Sequence, residues 1–201
     1  MTVMIKKKYS REILYLSIFV VLLMISKLLI DELLYDIGAN VLLLMLSLWY
    51  LNGSKIFSLK KIWLQVVEGG CSAAAILFIV IMTYYFLFDI YTKLDFSKEL
   101  FLGYFLFQIL VAITEELVYR ESLYKVFLHF DISMKMSALI ASFVFAGVHF
   151  YLHLSYVQFA SAFVFSVVLF ILKTRVESFT LISCMVSHLV YNVLCYYLAF
   201  S

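Results

Sequence analysis

Ala112 to Arg120 reads A-I-T-E-E-L-V-Y-R. Two adjacent carboxylates, Glu115 and Glu116, are followed by Arg120 four residues after the second. In a soluble helix this would be a solvated charge cluster. Here the preceding run, Leu102 to Ile113, carries no charge. The cluster is therefore expected at or near membrane depth, where ionisable groups are costly, paired and functional.

Composition extends that expectation to the whole chain. Its 201 residues are 66% hydrophobic and 14% charged, against about half and about a quarter in soluble domains. Mean hydropathy is +1.06. These values indicate an all-α, polytopic integral membrane bundle. A crossing takes roughly 20 apolar residues, so the length allows about seven or eight short-looped spans in a single membrane domain, 1–201. The net charge of +2 is too small to argue for nucleic acid, and the basic residues read better as topology signals. Cys71, Cys184 and Cys195 lie in apolar runs without a CxxC pair and read as free packed thiols. The first apolar run is long, lacks a small-residue cleavage site and precedes further spans. It reads as a retained helix and not a cleaved signal peptide.

Seven spans are expected, at about Glu12–Ile30, Ile37–Leu51, Gly70–Phe88, Leu100–Phe130, Met134–Leu152, Tyr156–Leu172 and Phe179–Phe200. An acidic link, Asp31-Glu32 to Asp36, joins the first two. Asn52-Gly53 signals a turn. The piece from Lys55 to Trp63 is amphipathic and reads as lying along the interface. The loop Asp89 to Glu99 is mixed in charge. The fourth segment is longer than a crossing requires, which implies tilt or emergence after Arg120. Lys/Arg clusters fall at the N-terminus, at 55–61, 120–135 and 173–175. This alternation fits seven spans with the N-terminus cytoplasmic. An eighth would fit only if the interfacial piece were part of a crossing.

Three constellations carry chemistry. In the first, Glu116 and Arg120 share a helix face and can form a bidentate charge-assisted pair. Glu115 lies about 100° round an α-helix from Glu116, so its carboxylate can face elsewhere and serve as a general base. The second is Phe145-Ala-Gly-Val-His149, whose Phe and His share a face and whose Gly147 would permit close helix approach. The third is His188-Leu-Val-Tyr-Asn192, with two polar groups one turn apart, suited to stabilising an oxyanion. Depth is compatible with convergence. Glu115 is mid-way in its segment and His188 close to the middle of its own, while His149 lies about 8 Å off centre at 1.5 Å per residue. Taken singly, each group has a plainer reading: a structural ion pair, a helix–helix hydrogen bond, interhelical glue. His129 and His153 sit near helix ends and read as structural, although His153 follows His149 by one turn. Ser155 and Ser187 have no evident base, and GxSxG is absent.

The set EExxxR, FxxxH, HxxxN, in this order on separate spans, resembles the CPBP family of intramembrane proteases (CAAX protease and bacteriocin-processing, or Abi). The likeness covers about residues 98–200, the expected catalytic core. It implies a helical bundle with a polar cavity opening within the bilayer. It further implies that Glu115 and His149 activate a water, that His188 and Asn192 stabilise the oxyanion, and that Glu116 and Arg120 support the site. One departure is Glu121, where the family often has Gly directly after the Arg. Glu plus two His is also a zinc-compatible set. Because HExxH is absent and a glutamate mechanism needs no ion, the reading goes against a tightly bound zinc and leaves a divalent metal open.

The expected activity is hydrolysis of a peptide bond in a membrane-associated peptide or protein. Short loops and the lack of a soluble domain point to a bacterial plasma-membrane member, with a bacteriocin or signalling-peptide precursor, or an immunity target, as substrate by family analogy. The rivals are a non-catalytic scaffold or self-immunity protein using the same cavity, and a proton-coupled carrier. A carrier would show repeated halves and interrupted helices, and neither is visible. Oligomeric state is not legible.

Overall fold

The computed structural model describes residues 9–28, 33–52, 61–88, 92–94 and 102–200. The basic residues 6–8, the link 31–32, the piece 55–60 and most of the loop 89–99 lie outside them. The described residues form helices α1 (Ser10–Leu28), α2 (Leu33–Tyr50), α3 (Ile62–Phe88) and α4 (Leu102–Glu115). A π-helical segment, Glu116–Leu123, continues α4 into α5 (Tyr124–His129). Then come α6 (Met134–His153), α7 (Tyr156–Arg175) and α8 (Leu181–Tyr196). Strands β1 (Thr92–Leu94) and β2 (Leu198–Phe200) pair antiparallel, Thr92 opposite Phe200.

Helices dominate because a backbone in hydrocarbon must satisfy its own N–H and C=O groups, and the chain has no proline to break one. Four helical stretches are long and apolar enough to cross a membrane: Ile62–Met82, Leu102–His129, Met134–Leu152 and Tyr156–Arg175. They make this a helical integral membrane protein. Among the described residues, Asp36–Tyr50 and Leu181–Tyr196 are further, shorter apolar helical stretches.

Three expected boundaries are corrected. α2 begins at Leu33, so Asp36 sits in its first turn, where the helix dipole favours an acid. α3 begins at Ile62 and not at Gly70, so Trp63, 80% exposed, rides on the helix. α8 ends at Tyr196 because Leu198–Phe200 pairs with β1. Its start is set by a capping box, in which Thr180 Oγ1 accepts from the Ile182 N–H and Ser183 Oγ accepts from the Thr180 N–H. The expected helices at 134–152 and 156–172 match α6 and α7 closely. α6 closes on Leu154 in the left-handed conformation, φ 54°.

Contacts divide the chain into two compact units, Met1–Ile56 with Thr114–Val167, and Phe57–Ile113 with Val168–Ser201. In the first, α1 is tied to the end of α2. Arg11 Nη2 donates to the carbonyls of Trp49 (2.8 Å) and Tyr50 (2.7 Å), and its guanidinium lies 5.4 Å from each ring centroid. A residue that reads as a topology signal thus also satisfies the last carbonyls of a helix. Glu12 and the Tyr50 hydroxyl both meet His129 Nδ1, at 2.9 and 3.1 Å, and the Tyr9 hydroxyl donates to Asp131. His129 is therefore a structural tie, as expected.

In the second unit α3 packs along α8. Gly69 makes this possible: a Cβ there would lie 2.7 Å from the Ser183 carbonyl oxygen and 2.8 Å from the Val186 Cβ. Polar ties flank the contact. The Ser72 and Ser187 hydroxyls meet at 3.0 Å, Thr180 donates to Gln65 at 2.8 Å, and Ser178 donates to Glu68. Among the described residues, a Cβ at Gly147 would meet nothing within 4 Å, so they show no close approach there.

Candidate active site

Glu115 is the last residue of α4 and is half-buried. From Glu116 to Leu123 the helix widens to π geometry, and every residue in that stretch is buried. π-helical turns, with i→i+5 hydrogen bonds, are rare and gather at functional sites. A helix buried on all sides is a central one, so the charged members here must be neutralised by protein. Arg120 Nε lies 3.2 Å from Glu116 Oε2, and both side chains are 0% exposed. The guanidinium carbon also lies 5.3 Å from the centroid of the Phe145 ring, a desolvated cation–π contact. The expected Glu116–Arg120 pair is present, and its close contact runs through Nε.

The family departure at Glu121 has a local answer. Its carboxylate lies 3.2 Å from Lys125 Nζ, again four residues on. The added charge is paired along the helix.

His149 sits on α6, one turn after Phe145. Its Nδ1 is 3.0 Å from the Phe145 carbonyl oxygen. A carbonyl only accepts, so Nδ1 is the donor in this bond, which in the uncharged tautomer would place the acceptor lone pair on Nε2. The Phe145 ring centroid lies 4.4 Å from that of His149, and the Tyr119 ring meets Phe145 edge-on at 5.0 Å. Phe145, 1% exposed, thus touches both Arg120 and His149. The first compact unit brings together Glu116, Tyr119, Arg120, Phe145 and His149, with Glu115 preceding them in the chain.

His188 and Asn192 belong to the second unit, on α8. His188 is buried and Asn192 half-buried. Asn192 Nδ2 donates to Gln108 Oε1 of α4 at 2.8 Å. Gln108 is missing from the sequence reading. It could have been found, because it is the one carboxamide in the uncharged run Leu102–Ile113. Glu68 falls in the flank of a third span that starts at Gly70, whereas the structure places it inside α3. It is the single charged residue of α3.

Among the described residues no group of three His, Cys, Asp or Glu side chains is placed to hold a metal ion. All three cysteines are free.

A family model described as type II CAAX prenyl endopeptidase Rce1-like matches residues 97–194. All three motifs fall inside that range. No curated protein and no solved structure matches the chain.

Proposed function

Because residues 97–194 match a family model described as type II CAAX prenyl endopeptidase Rce1-like, we propose that this membrane protein is an intramembrane endopeptidase. Its substrate is a membrane-associated peptide or protein, and it sits in a bacterial plasma membrane with seven crossings and a cytoplasmic N-terminus. Glu115 takes a proton from a water that attacks the scissile carbonyl, then returns it to the leaving amine. His149 Nε2 accepts a hydrogen bond from the second O–H of that water and so orients it. His188 and Asn192 donate to the oxyanion of the tetrahedral intermediate. Glu116 and Arg120 hold the π-helical segment that follows Glu115.

The family match over all three motifs carries this reading. The His149–Phe145 hydrogen bond supports it, since it engages Nδ1 and not Nε2. The test uses purified protein in liposomes. The probes are a quenched fluorogenic peptide ending in farnesyl-cysteine plus three residues, and its unprenylated counterpart. Wild type should cleave one of them, and Glu115→Gln and His149→Ala should each lose about 100-fold or more in kcat. Equal cleavage by wild type and both variants would overturn the assignment. A parallel arm with a chelator, and with zinc added back, decides whether a metal takes part.

A further inference from the structure

From the Asn192–Gln108 contact we infer that Gln108 is a positioning residue for the oxyanion donor. This rests on the endopeptidase reading. A carboxamide has two N–H donors on one side and an acceptor oxygen on the other. In apolar surroundings it can present either side to a substrate, and only the N–H side stabilises an oxyanion. Gln108 Oε1 accepts from Asn192 Nδ2 at 2.8 Å. That engages one N–H and leaves the other to donate. Gln108 is itself buried, 9% exposed, so its amide has little water to turn towards. It lies on α4, about two turns before Glu115 at 3.6 residues per turn. One helix thus carries the general base and the group that orients the oxyanion donor. The partner side is equally fixed, because Gly69 seats α8 directly on α3 and the Ser72–Ser187 hydroxyls meet one residue before His188.

Gln108 does not touch the reacting atoms, so its effect must pass through Asn192. The experiment measures kcat and KM on the farnesyl-cysteine peptide in liposomes, for wild type, Gln108→Met, Gln108→Glu, Asn192→Ala and the double variant Gln108→Met/Asn192→Ala. Met matches the shape of Gln and lacks the acceptor. Glu keeps the acceptor. Gln108→Met should lower kcat about tenfold or more with KM within about twofold, as for weakening one oxyanion donor. Gln108→Glu should keep roughly a third or more of kcat by the same logic. In the Asn192→Ala background Gln108→Met should add less than about twofold, the mark of two residues acting as one. Wild-type kcat in Gln108→Met, or a full loss that persists in the Asn192→Ala background, overturns the inference. Gln108→Asn, one methylene too short to reach Asn192, should lose activity like Met and serves if Met does not fold. Glu115→Gln runs alongside. If cleavage depends on Glu115 but not on Gln108, the inference falls and the endopeptidase reading stands. If no cleavage depends on Glu115, both fall.

Discussion

Two ion pairs lie within ten residues on one continuous helix. Glu116–Arg120 and Glu121–Lys125 have the same i,i+4 spacing and the same 3.2 Å separation. Their surroundings differ. The first pair is 0% exposed on both sides, while the second is 12% exposed at Glu121 and 31% at Lys125. Coulomb attraction at equal distance grows as the effective dielectric falls, and so does the penalty for stranding either charge. The comparison teaches that spacing and distance do not separate a structural charge pair from a marginal one. Burial does. Together Glu116 and Arg120 neutralise a segment wrapped in protein, and Glu115 lies half-buried just before it.

The largest effect should come from splitting the buried pair. Arg120→Met leaves the Glu116 carboxylate enclosed and should destabilise the fold by about 3–5 kcal/mol, read from unfolding in mixed detergent. A change below about 1 kcal/mol would break the comparison. Removing the ring over Arg120 comes next. Phe145→Leu loses the cation–π contact and packing and should cost about 2 kcal/mol; it should also lower kcat, because His149 loses its neighbour. The comparison sharpens if both buried charges are removed together. Glu116→Gln with Arg120→Met should return to within about 1 kcal/mol of wild type, since a buried pair replaced by neutral groups is often neutral. Double-variant stability as low as Arg120→Met alone would mean that the pair itself holds the fold. The smallest effect belongs to Lys125→Ala, at about 0.5 kcal/mol and shrinking with salt. A salt-independent loss matching that of Arg120→Met would erase the distinction.

Much of this was legible from residue types. Buried charge in an apolar run announces itself, so Glu115, Glu116 and Arg120 stood out, and the apolar lengths of α6 and α7 fixed their ends. The π-helical turn was not legible. Nothing in E-L-V-Y-R-E-S-L forbids an α-helix, and the widening accompanies burial on every side, a tertiary effect. The start of α3 was missed because Lys60, Lys61 and Trp63 mimic an interfacial piece. The strand Leu198–Phe200 was missed because a short apolar run has no period that separates strand from helix. Gly147 and Gly69 read alike as small residues, and only the packing of α3 on α8 shows which one admits a neighbour. Neutral supports such as Gln108 are quiet in sequence because their role depends on a partner 84 residues away.

The most direct test sets the two adjacent carboxylates against each other through one change. The cleavage rate of Glu115→Gln in liposomes should fall about 100-fold or more, with its unfolding within about 1 kcal/mol of wild type. Cleavage at the wild-type rate by a folded Glu115→Gln protein would contradict the assignment of Glu115 as the base, and with it the reading of this chain as a glutamate-dependent intramembrane protease.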